Sequence, residues 1–165
     1  METNNLHEET HADGPITIVI DEPFLPLVDA DALRSVVTHA LVLEDQPDGE
    51  LTMVITDNDQ VQALNRTYRG LDEPTDVLSF ATQETFAEAE DVPFVSAPEA
   101  ARYLGDIIIA YPYAAANAAA LGRAAADEIA LLAVHGTLHL LGYDHGSPAE
   151  EEVMWAHQTR ILSGA

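Results

Sequence analysis

The sequence predicts one α+β domain, with a mixed four-stranded sheet, about five helices and a metal site on the penultimate helix. Three observations lead there. Apolar residues alternate along some segments and recur at helical spacing along others, in the order β-α-β-α-β-β-α-α-α. A chain of 165 residues can bury one core but not two of ordinary size. The closing helices carry closely spaced histidines inside an apolar pattern.

Residues 1–14 are polar and acidic and read as a flexible tail, leaving 15–165 as the domain. Ile16-Thr17-Ile18-Val19-Ile20 reads as a strand, ending in the Pro-interrupted stretch Asp21 to Pro26. Asp29 or Asp31 can cap a helix through about Leu43, whose Leu33, Val36, Val37, Ala40 and Leu41 share one face. Gln46-Pro47-Asp48-Gly49 is a turn into the strand Leu51 to Thr56. Asp57 or Asp59 then starts a helix through Val61, Leu64 and Tyr68 that Gly70 stops.

Val77 to Ala81 is a third, short strand. Residues 82–103 are acidic, hold Pro93 and Pro98, and read as a loop insertion. Leu104 to Ala110 contains Ile107-Ile108-Ile109, which suits a strand buried on both faces. Helices follow from about Pro112 to Leu121, from near Asp127 to Leu141, and from the capping box Ser147-Pro148-Ala149-Glu150 onward.

The segment His135-Gly136-Thr137-Leu138-His139-Leu140-Leu141-Gly142-Tyr143-Asp144-His145 is the most informative. His135 and His139 stand four apart on a helix, so both imidazoles project from one face. Gly142 can take the left-handed conformation that ends a helix, which lets the chain reverse and return His145 as a third ligand. Three nitrogens with a fourth position open is how a catalytic zinc site is built. Zinc suits an all-imidazole site best, with nickel, copper or iron as alternatives.

Other histidines read differently. His7-Glu8-Glu9-Thr10-His11 matches a metalloprotease pattern but lies in the polar tail, without a rigid element to hold it. His39 and His157 read as packing or surface residues. The spacing of His135, His139, Gly142 and His145 is also that of metzincin proteases, but the position of their general-base glutamate is Gly136 here. The pattern therefore argues against a protease of that mechanism, and the sequence names no general base.

These residues resemble the YbeY family of bacterial endoribonucleases. Its histidine signature stands at 135–145, and two more blocks appear in the same order: Leu64-Asn65-Arg66-Thr67-Tyr68-Arg69-Gly70 leading into Pro74-Thr75-Asp76-Val77-Leu78-Ser79-Phe80, then Leu104-Gly105-Asp106-Ile107. The resemblance covers about residues 50 to 160. It implies one zinc ion, single-stranded RNA as substrate, and maturation of ribosomal RNA, including the 3′ end of 16S rRNA, with ribosome quality control. Its implied partners are the ribosome or ribosome-assembly factors, not DNA or a membrane. It also places the functional arginine at Arg69, where a planar guanidinium can hold phosphate oxygens and offset transition-state charge. Arg66 is explained by the helix dipole alone. Thr75 and Asp76 read as shaping a turn, Asp144 as a turn former or a carboxylate orienting a histidine, and Tyr143 as a core residue or a base-stacking one. Rival readings are a zinc hydrolase acting on peptides and a ribosome-assembly factor with structural zinc.

Without cysteine, signal peptide or membrane-length apolar run, the sequence points to the cytoplasm. The charge is the unusual feature: six basic residues, all arginine, against 29 acidic ones give −23. Without residues 1–14 and 82–103, 20 acidic residues still face five basic ones, so the folded body itself is acidic. That balance argues against a general nucleic-acid coat protein, which needs many phosphate contacts, yet permits a local basic site. A lysine-free acidic surface fits high intracellular salt, where self-repulsion is screened. Thermal unfolding from low to molar KCl should show stability rising with salt, and an indifferent melting temperature would sink this reading.

Overall fold

The computed structural model describes residues 8–11, 14–82 and 102–164. Most of the expected acidic insertion, residues 83–101, lies outside them. The four predicted strands are β2 (Ile16–Asp21), β3 (Glu50–Thr56), β4 (Val77–Ala81) and β5 (Tyr103–Ala110). A fifth, β1 (Glu8–His11), pairs antiparallel with β2. It falls in the segment expected to be tail; an edge strand gains its backbone hydrogen bonds without an apolar pattern that sequence reading could detect. The sheet order is β1-β2-β3-β5-β4, with β2, β3 and β5 parallel and β4 antiparallel at the far edge.

Five α-helices are described, α1 (Ala30–Leu43), α2 (Asn58–Arg69), α3 (Tyr111–Ala120), α4 (Ala125–Leu140) and α5 (Pro148–Leu162), together with a 3-10 helix at Glu22–Leu27. The capping signals act as read. Asp29 accepts from Ala32 N, Asp57 from Gln60 N, and Ser147 from Glu150 N, each satisfying an otherwise orphaned first-turn donor. Gly70 at φ 71° closes α2. No helix among the described residues is long and apolar enough to cross a membrane.

The alternation in β5 sorts its three isoleucines between two layers. Ile107 and Ile109 join Ile18, Met53 and Ile55 under α1 and α4, whereas Ile108 packs with Val61 and Leu78 on the α2 face. The expected two-sided burial of this strand is thus realised. Helix α4 is enclosed along most of its length, with Ile129, Ala133, Val134, Gly136, Thr137 and Leu138 all buried. Thr137 keeps its hydroxyl satisfied by donating to Ala133 O at 2.7 Å.

Gly136 explains how closely α4 sits on the sheet. A Cβ at that position would lie 2.8 Å from Ile107 Cγ2 and 3.1 Å from Ser79 Oγ. The residue therefore faces β4 and β5, so no side chain larger than hydrogen fits without displacing the helix. Gly136→Ala should destabilise the fold by about 1–3 kcal/mol through overpacking. Urea unfolding of the variant against wild type measures this.

Candidate metal centre

His135 and His139 occupy the strip of α4 that the sheet leaves half-buried, one helical turn apart. Their Nε2 atoms are 3.1 Å apart. After Leu140 the chain ends the helix in a Schellman motif, with Gly142 N donating to His139 O and Tyr143 N to Leu138 O, both at 3.0 Å. Gly142 has φ 100°, the left-handed conformation expected of it. Asp144 then turns the chain by accepting from His145 N at 2.7 Å, the turn-forming role read from sequence.

The reversal brings His145 back. One nitrogen from each of His135, His139 and His145 lies within 4.8 Å of the others, and this is the potential metal cluster among the described residues. The three imidazoles therefore fit a transition-metal ion by number, donor type and convergence. Burial lowers the pKa of His135, as does the charge of His139; burial and then His145 lower that of His139. Both rings are thus neutral near pH 7, with lone pairs available to an ion.

Helix α5 builds the wall of this centre, which sequence reasoning missed. Gln158 Oε1 lies 3.2 Å from His135 Nδ1. An amide oxygen accepts only, so Nδ1 carries the proton and Nε2 is left free to face the cluster. Trp155 lies edge-on to His135 and His145, with ring centroids 5.7 and 6.0 Å away. His157, read as a packing or surface residue, is half-buried and meets Glu44 Oε1 at 2.5 Å. Tyr143 donates to the other oxygen of Glu44 at 2.6 Å, which pins the loop between His139 and His145 to the end of α1. Burial and the Glu44 contact push the Tyr143 hydroxyl up to about 12, so it stays a donor. The only signal for this wall was the helical spacing of positions 155 and 158, which without the fold points at nothing.

Arg69, at the end of α2, donates to Ser79 O at 3.1 Å and lies over the Phe80 ring at 5.9 Å. After burial and His145, its positive charge also acts in the direction that lowers the pKa of His139. Arg66 points elsewhere, 3.7 Å from Asp72 in an exposed pair. Asp76 contributes negative charge at His135. Its Oδ1 also accepts from Val77 N at 2.8 Å, in keeping with the turn expected there. His39 is not among the clustered imidazoles, and Glu8–His11 of the tail pattern are spread along a strand rather than wound on a helix.

A model of the Endoribonuclease YbeY family matches residues 26–165. Curated relatives of the same name are similar over most of both chains. That of Geobacillus kaustophilus is 46% identical over 134 residues, 81% of this chain and 84% of the other. That of Dehalococcoides mccartyi is 44% identical, covering 87% and 88%. That of Roseiflexus castenholzii is 44% identical, covering 88% and 91%. A solution structure of a Thermotoga maritima protein shares the fold, with TM-score 0.55, 23% identity, and coverage of 90% and 87%.

Gln158→Leu should weaken binding of a transition-metal ion about tenfold or more by releasing the His135 ring, while Gln158→Glu, which still accepts, should retain it. Competition titration against a chromophoric chelator reads both.

Proposed function

The chain belongs to the YbeY family of endoribonucleases, and from that premise we propose a zinc-dependent, single-strand-specific endoribonuclease that matures ribosomal RNA in the cytoplasm, at the ribosome or with its assembly factors. The observation that supports this reading best is the convergence of three imidazoles, with Arg69 of a separate helix hydrogen-bonded to Ser79, the residue against which Gly136 of the histidine helix packs. A site for a phosphodiester needs both, because the transition state carries more negative charge than the substrate.

His135, His139 and His145 would hold the ion. Zinc, when bound there, supplies Lewis-acid charge to a phosphodiester and makes water more acidic. Arg69 adds a permanent charge that is not paired with a carboxylate among the described residues. The carbonyl of Ser79 takes one of its five donors and fixes the direction of the fork, so the remaining N–H groups can meet phosphoryl oxygens without first being ordered. Gln158 keeps the His135 proton on the side away from the cluster. Seating Gly136 against the sheet excludes the general-base position of the metzincin proteases, which supports RNA over peptide as substrate.

Metal analysis paired with cleavage of single-stranded RNA tests the reading, on wild type, His139→Ala and Arg69→Glu, in low and high KCl. Wild type should carry about one zinc and cut RNA. His139→Ala should lose metal and activity together. Arg69→Glu should keep its metal and lose cutting by about 100-fold or more, the effect of removing one preorganised charge donor. Zinc bound without cleavage at any salt would instead favour an assembly factor with structural zinc.

A further inference from the structure

Trp155 is 42% exposed although it lies against two of the three clustered imidazoles. It cannot withdraw from that position easily. Its neighbour Met154 is fully buried, Ile161 two turns on is buried too, and His157 is tied to Glu44. Helix α5 thus holds a large flat ring at the rim of the metal centre, half in solvent. Arg69, from α2, is held on β4 by Ser79 and Phe80, and Ser79 is also the residue that Gly136 of α4 packs against.

The charge of the chain gives that ring a purpose. At −23, with six arginines and no lysine, the protein cannot gain RNA affinity from many phosphate contacts. Salt that screens its self-repulsion would weaken the few contacts it has. Stacking of a base on an aromatic ring needs no charge and tolerates any sequence. It also needs a base that is free of its own strand's stack and pairing.

We propose that Trp155 is the stacking platform for one unpaired base next to the phosphate held at the histidine cluster, and that it selects single strands over duplex. This deepens the ribonuclease reading and rests on it. A duplex presents phosphates to the cluster but offers Trp155 no open base face, whereas a single strand offers both at once.

Trp155 is the only tryptophan, so its fluorescence reports the contact directly. A short 2′-O-methyl single-stranded oligonucleotide, which resists cleavage, is titrated into zinc-loaded full-length protein in molar KCl. Saturable quenching is expected, with none from a duplex of equal length or from a strand of abasic nucleotides. In parallel, Trp155→Ala should raise KM for single-stranded RNA about tenfold, with the loss in KM rather than kcat, and Trp155→Phe should recover most of it. If wild type cuts RNA but its tryptophan is not quenched, or if Trp155→Ala keeps wild-type KM, the stacking proposal fails while the ribonuclease stands. If Trp155→Ala loses zinc and wild type is not quenched, the indole is a cover for the histidines and the proposal is overturned. Wild type that neither cuts RNA nor is quenched removes the ribonuclease reading, and this proposal with it.

Discussion

Helix α4 lies against β4 and β5 so closely at Gly136 that a methyl group there would meet Ile107 and Ser79. That contact decides which face of the helix is left for chemistry. With one side closed by the sheet and others by α1, α3 and α5, the strip carrying His135 and His139 is what remains half-buried. The same contact brings the imidazoles to β4, where Arg69 is hydrogen-bonded to Ser79. A looser seat would leave the histidines in register with one another but out of register with the guanidinium.

The second support is α5. Its buried Met154 and Ile161 fasten it to α1 and α4, and three other residues on it then act on the centre. Gln158 sets the tautomer of His135, Trp155 stands edge-on to two rings, and His157 meets the Glu44 that holds Tyr143. The loop bearing His145 is therefore held both by its own Schellman turn and by an anchor in α1 far away in sequence. Holding a ligand from two directions limits the rearrangement an arriving ion must impose, which is the usual service of groups behind a metal site.

Electrostatics works at two ranges here. At short range, burial disfavours the charged forms of His135 and His139, and Arg69 is oriented on the adjacent β4, an arrangement that favours an anion. At long range the acidic body repels one. Salt reconciles the two, because screening acts over about 8–10 Å at moderate ionic strength and removes distant repulsion before it removes contacts at the site.

Much of this was legible in the chain itself. The i, i+4 spacing of His135 and His139, the glycine stop at 142 and the return of His145 are local consequences of helix geometry, so the histidine trio needed no tertiary information. The caps at Asp29, Asp57 and Ser147 and the two-sided burial of β5 were legible for the same reason. The β1 strand, the hold of Ser79 on Arg69, and the placing of Gln158, Trp155 and His157 were decided only by the fold. Periodicity fixes which residues share a face of one element. Which faces meet depends on how whole elements pack, and here a buried glycine and an ordinary helix more than a dozen residues past the first ligand settled that.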